Sequence, residues 1–355
     1  MDKQTVYEKG VDQFTNPILS ELKEKALAEK CDGEYLEKII NHHKFNHQMY
    51  NGVPFLESIT KTYKLLAPKS RQTDKYLQLI PYLAAVLDML ISVLVVVDDI
   101  LDRSEMRSGK PCWYRIVGVG AAANDSHILI ASAFFILRKH FFHLDCYTYL
   151  TELVAESLFV VGLGQHFDNE MSQVNYEDFT EENYSKMVRN KSSYSFYFSL
   201  GGVMYLAGYT EQESHEKAKE FSFQLGYLAQ VQNDFWDCYK HLDSIVKSGT
   251  DIEEGKCTWL AVQFLKMASP EQKEVFIGNY GKRDQECVSR IKKLYNDQKL
   301  PEIYAKFLHE ECAKLRNRAL EDAGDIPSEL YVKIIDGLFE KDLQNFTDGN
   351  NMTDF

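Results

Sequence analysis

The chain has 355 residues, 45% hydrophobic and 26% charged, with a net charge of −13 and a pI near 5.3. That length buries a large core without staples, and that charge argues against a nucleic-acid or anionic-membrane surface. Seven scattered cysteines (Cys31, Cys112, Cys146, Cys238, Cys257, Cys287, Cys312) form no CxxC pair, so they read as reduced thiols of a cytoplasmic protein.

From the N-terminus, MDKQTVYEKGVDQF lacks an apolar signal core and is too acidic for a transit peptide. His42, His43 and His47 read as solvated surface histidines. Leu77–Val97, LQLIPYLAAVLDMLISVLVVV, is nearly long enough to span a bilayer. Pro81 and Asp88 interrupt it and aspartates end it, so a buried helix of an all-helical protein is expected. Gly118–Gly120 lacks a preceding strand and is no nucleotide loop. No proline occurs between Pro111 and Pro270, which favours long helices over a turn-rich β fold. Apolar residues recur at spacings near three and four in HILIASAFFILRKHFF, YLTELVAESLFVVGL and TWLAVQFLKMA. Gly201-Gly202 either breaks a helix or allows close packing. Ser269-Pro270-Glu271-Gln272 is a helix start, with an N-cap serine, proline at the first position and glutamine at the third. The expectation is one all-α domain over residues 1–345 and a polar tail, 346–355, with no linker or solenoid repeat.

The chemistry gathers where apolar helices end in oxygen ligands. In VVVDDILDR, Asp98 and Asp102 are spaced i, i+4 and project from one helix face. A lone pair of this kind is usually a solvated helix end. A second group, QVQNDFWD, repeats the spacing with Asn233 and Asp237, and Asp168 follows Gly164-Gln165-His166-Phe167. Oxygen ligands without His or Cys suit Mg²⁺, which binds through one or two carboxylates, waters and substrate phosphates. Arg107, Arg189, Lys191, Lys247 and Lys256 are candidate partners for a diphosphate.

Taken in order, these motifs resemble the farnesyl diphosphate synthase family from about Glu34 to Phe346. DDILD at Asp98–Asp102, the CWYR at Cys112–Arg115, Gly164-Gln165 with Asp168, VKSGTDIEEGKCTW and NYGKRDQECVSRIKKLY each fall on a family motif. Arg189-Asn190-Lys191-Ser192 falls on its K-x-K-T. The resemblance implies an all-helical isoprenoid synthase bundle around a central cavity, three Mg²⁺ ions, an allylic prenyl diphosphate substrate and a homodimer. It implies metal ligation by Asp98, Asp99, Asp102, Asp168, Asn233, Asp234 and Asp237. It places Arg107, Arg189, Lys191, Lys247, Lys256 and Gln230 on the diphosphate, with Asp98, Asp102, Asn233, Arg107, Lys191 and Lys247 in catalysis. Val93, Leu94, Phe159, Gln165, Phe167, Ser192 and Tyr194 would line the substrate pocket. Phe196, Tyr197, Phe198 and Tyr227 are further aromatic candidates, although aromatics at helical spacing are more often plain core.

The family pattern fails at one place, the basic site for isopentenyl diphosphate. No Lys or Arg occurs between Lys44 and Lys61, the paired arginines become Arg107-Ser108, and the basic tail becomes Phe339-Glu340-Lys341-Asp342. Ile91 and Ala229 replace a glutamine and a phenylalanine. Each lost charge-assisted hydrogen bond removes roughly 1.5–3 kcal/mol. The expectation is therefore a class I terpene synthase of the insect type, a carbon–oxygen lyase that ionises one allylic diphosphate and cyclises or deprotonates the cation. Asn233 agrees with that lineage and His241 departs from it. The alternatives are a prenyltransferase with a rebuilt isopentenyl site and an inactive regulatory partner of an active synthase. Farnesyl-producing relatives carry bulky aromatics where this chain has Val93 and Leu94, which tilts the expected substrate slightly from farnesyl towards geranylgeranyl diphosphate.

Overall fold

The long apolar run forms a helix whose register puts its aspartates at the C-terminal end. The computed structural model describes residues 17–43, 55–107, 110–172, 176–239, 249–322 and 324–347. In chain order the helices are α1 (17–28), α2 (Glu34–His43), α3 (Phe55–Leu66), α4 (Asp74–Leu77), α5 (Ile80–Leu101), α6 (Trp113–Val117), α7 (Val119–Phe141) and α8 (Tyr147–Met171). Then come α9 (Glu181–Val188), a π-helical segment (Arg189–Ser193), α10 (Tyr194–Ala207), α11 (Gln212–Cys238) and α12 (Trp259–Met267). The series ends with α13 (Pro270–Asn279), α14 (Gln285–Asp297), α15 (Leu300–Glu321) and α16 (Ser328–Thr347). The described strands are β1 (Met106–Arg107) and β2 (Lys110–Pro111), an antiparallel pair with Arg107 opposite Lys110. The fold is mostly helical, as the spacing predicts.

The chain divides into two compact units. The first comprises residues 1–158, 198–218 and 325–330. Its centre is α5, packed against α3, α6 and α7. Leu83, Ala84, Val86, Leu87, Leu90 and Val96 are each almost wholly buried. Two stretches, Asp74–Leu101 and Val119–Phe141, are long and apolar enough to cross a membrane, but 61% of the first stretch's apolar window is already covered by protein. That coverage is what a core helix shows. Pro81 sits in the first turn of α5, where a missing N–H costs nothing. The helix α10 runs unbroken through Gly201-Gly202, with Leu83 and Leu87 packed on Gly202, so the glycine pair serves close packing.

The second unit comprises residues 159–197, 219–324 and 331–355. Tyr184, Phe264, Phe276, Tyr295, Tyr304 and Phe339 fill its core. Phe235 stacks on Tyr304 at 3.8 Å between ring centroids. Ser269 caps α13 as its sequence predicts: the hydroxyl accepts from the Gln272 N–H at 3.3 Å and the Gln272 side chain answers the Ser269 N–H at 2.9 Å. Asp342, in the altered tail, is a buried acceptor for Gln232 (2.7 Å) and Trp236 (2.8 Å). It therefore has a structural reason to be there. All seven cysteines are free thiols, and all but Cys31 are buried.

Candidate active site

In the first unit α5 delivers the aspartates one turn apart, Asp98 half-buried and Asp102 as the buried C-cap residue. The β1–β2 hairpin then returns Arg107 onto the helix end. Its Nε donates to Asp99 Oδ1 at 2.8 Å and its Nη2 to Asp98 Oδ2 at 3.1 Å. Burial opposes the charge on Arg107, but Asp99 and Asp98 outweigh it and raise the guanidinium above its ordinary value. Burial also raises Asp99, against the pull of Arg107. Asp99 is thus an anchor for the arginine, while Asp98 and Asp102 stand one turn apart on the same helix end. Val93, a turn earlier, is 5% exposed, and Leu94 is half-buried.

In the second unit Asp168 is clamped by two lysines, Lys191 at 2.7 Å and Lys256 at 2.8 Å. Burial alone would raise its carboxyl, but the two ammonium groups overcome that and hold it below its usual value. A residue called as a metal ligand and two called as diphosphate donors therefore form one cluster. The π-helical segment that carries Lys191 is held by two close approaches. A Cβ on Gly164 of α8 would lie 2.4 Å from the Lys191 nitrogen, and one on Gly226 of α11 would lie 2.4 Å from the Ser193 Cα. Only glycine fits at either point.

Next along the segment, Ser192 donates to Gln230 at 2.5 Å and Gln230 donates to Asp234 at 2.7 Å. Asp234 also accepts from the Tyr184 hydroxyl (2.7 Å) and from the Trp259 N–H (2.8 Å) at the first turn of α12. Burial pushes its carboxyl up to about 6 despite these donors. Three donors thus meet Asp234, partners that the sequence alone does not reveal. Asn233 is exposed and Asp237 half-buried, with Asp237 Oδ2 accepting the Asp251 N–H at 3.0 Å. Tyr184 and Trp259 join this cluster through Asp234, and no sequence motif singles them out. The signal for Tyr184, a tyrosine five residues before Arg189, carries no periodicity of its own.

Several expected residues lie elsewhere. Arg189 does not join Lys191: it sits 3.7 Å from Glu220 and stacks 3.9 Å over the Phe223 ring. Residues two apart on a helix do not share a face, which is the physical reason. Phe159, expected in the pocket, is 68% exposed. Tyr194 is packed against Tyr197 and Phe223, with the Lys219 ammonium 4.8 Å from its ring centre, and Tyr197 and Phe198 are buried with it. Tyr227 packs edge-on against Tyr184. Gln165 is buried and Phe167 half-buried. Lys247, Ser108, His47 and His241 lie outside the described residues.

Among the described residues no three His, Cys, Asp or Glu side chains close around one point. A Cys- or His-based metal centre would need such a cage. Mg²⁺ does not, since one or two carboxylates, waters and phosphate oxygens complete its shell. The oxygen-only pair Asp98 and Asp102 fits it.

The family model described as polyprenyl synthetase matches residues 57–298. The chain belongs to the polyprenyl synthetase family. It is 33% identical over 285 residues to the farnesyl pyrophosphate synthase of Murgantia histrionica, covering 79% of this chain and 70% of that one. Against the Gallus gallus farnesyl pyrophosphate synthase it is 32% identical over 252 residues, covering 70% and 69%. Among solved structures, farnesyl diphosphate synthase of T. brucei complexed with risedronate superposes with a TM-score of 0.76 at 25% identity, covering 94% of this chain and 98% of that one. Polyprenyl synthetases are in general Mg²⁺-dependent.

These relatives correct the reading of the chain as a lyase, because they are named farnesyl pyrophosphate or diphosphate synthases, which are transferases. The inference from lost cations went too far for a physical reason. Missing donors weaken the binding of one diphosphate, but the retained groups are the ones that an ionisation step common to both chemistries would need. They do not decide which nucleophile meets the cation afterwards.

Proposed function

We propose that the chain is a Mg²⁺-dependent prenyltransferase, joining an allylic diphosphate to isopentenyl diphosphate through a rebuilt site for the latter. The observation that carries this reading is the Asp98–Asp102–Arg107 group at the end of α5, on a chain whose relatives are farnesyl pyrophosphate synthases. Asp98 and Asp102 would hold Mg²⁺, which when bound draws negative charge from the departing diphosphate. Arg107, fixed by Asp99, presents a permanent positive charge to the same oxygens. Lys191 and Lys256 would exchange Asp168 for phosphate oxygens, and Asn233 and Asp237 would hold a further ion.

In the reaction the allylic carbon–oxygen bond breaks with its electron pair on the diphosphate. The isopentenyl double bond then attacks the cation, and a proton leaves the adduct. The deficit of basic residues between Lys44 and Lys61 predicts weak isopentenyl binding, not its absence. We propose further that the chain is a homodimer, to be tested by light scattering for twice 41.1 kDa. For the main reading, purified protein with Mg²⁺ is incubated with geranyl, farnesyl and geranylgeranyl diphosphates, with and without isopentenyl diphosphate. Elongated diphosphates appearing only with isopentenyl diphosphate are the expected result. Release of inorganic diphosphate without any elongated product would overturn the proposal.

A further inference from the structure

The second unit contains a cavity of about 370 Å³ that shares no residue with the carboxylate groups described above. Its walls come from α9, the π-helical segment, α11 and α15. This volume lies within the range of small-molecule sites. Its apolar lining is Phe223, Leu228 and Leu315, all buried, with Tyr227 half-buried. Its charged lining is Arg189, Lys314 and Arg318 with Glu220 and Glu311, and Arg189 stacks on the Phe223 ring.

The charges do not cancel. Arg189 stands 3.7 Å from Glu220, and Lys314 answers Glu311 at 2.6 Å. Among the described residues no carboxylate lies within ion-pair distance of the Arg318 guanidinium. Such a group beside apolar walls attracts an anion more strongly than it would in open water.

We propose that this cavity is a second ligand site, for a small amphiphilic anion: one phosphate- or carboxylate-sized head on a short apolar body. Arg318 supplies the excess charge, and Phe223, Leu228 and Leu315 the apolar bed. A bare metal ion is disfavoured because both carboxylates already face cations. Arg189 and Ser193 also bound the π-helical segment that carries Lys191 and Ser192, so an occupant rests on the opposite face of the element that holds Asp168 and Gln230.

The test uses the full chain in EDTA, titrated calorimetrically with octyl phosphate, with inorganic phosphate and octanol as controls for head and tail. One octyl phosphate per chain should bind, and each control should bind at least about tenfold more weakly. Arg318→Glu should weaken binding about tenfold or more, while Arg318→Lys and Lys191→Ala should leave it near wild type. Circular dichroism of each variant reports whether it folds, and Arg318→Ala replaces Arg318→Glu if that one does not. No binding of octyl phosphate would overturn the proposal. So would inorganic phosphate binding equally well, or binding lost in Lys191→Ala and kept in Arg318→Glu.

Discussion

Asp98 and Asp102 make different demands on the fold from Asp168. The first two sit at a helix end, and removing Asp98 leaves Arg107 still paired to Asp99 at 2.7 Å. Asp98→Ala and Asp102→Ala are therefore expected to lower turnover by about a hundredfold or more with little loss of stability. Lys61→Ala, which removes only an exposed pair with Glu57, should keep wild-type rates in the same assay. Asp168 is buried between two lysines, so Asp168→Asn should cost about 3–5 kcal/mol near neutral pH, measured by denaturant unfolding. The pH dependence has a definite sign. A carboxyl held below its unfolded value of 3.8 contributes fully above that pH, and the contribution fades as pH falls through the lower folded value. The gap between wild type and Asp168→Asn should accordingly narrow below about pH 4.

At the scale of elements, the π-helical segment is set by its neighbours more than by its own residues. Gly164→Ala forces a methyl into the backbone of Asn190 and Lys191. Destabilisation of about 1–3 kcal/mol is expected in denaturant unfolding, with a larger relative loss of turnover because Lys191 moves with the segment. The other element-scale prediction concerns α5. Val93 and Leu94 lie about a turn before Asp98, so Val93→Phe with Leu94→Phe narrows the space below the carboxylates. The double variant should use geranylgeranyl diphosphate far less than farnesyl diphosphate, compared with wild type in parallel assays. Equal losses on both would put the chain-length floor elsewhere. Helices such as α5 and α13 were legible because apolar period, proline position and capping are local facts. The π-helical segment was not, because a changed turn angle leaves no mark in spacing read at the ordinary helical period.

For the molecule as a whole, the all-helical class was plain from the proline-free central stretch and the recurring spacings. The i, i+4 spacing of Asp98 and Asp102 was equally plain, and it survives at the end of α5. What could not be read was which protein groups each acidic residue meets. Asp234 is filled by Tyr184 and Trp259, 50 and 25 residues away in sequence, and no local pattern encodes such partners. Arg189 likewise looked like one more phosphate donor, yet it stacks on Phe223 beside the second cavity. Reaction class lay further still from the residues. The lost cations around Ser108 speak of affinity for one substrate, and kinship with farnesyl pyrophosphate synthases was needed to read the rest.

The grip of Arg107 on Asp98 and Asp99 makes cation uptake at the end of α5 a swap and not a capture. A divalent ion arriving at Asp98 competes with a resident guanidinium, so the helix end keeps its neutralising charge whether or not metal is supplied. Chelators should then silence the protein without unfolding it. Melting curves with EDTA and with excess Mg²⁺ should agree within about two degrees, and only metal together with an allylic diphosphate should raise the midpoint clearly. A fall of ten degrees or more on chelation alone would mean that the ion is part of the scaffold.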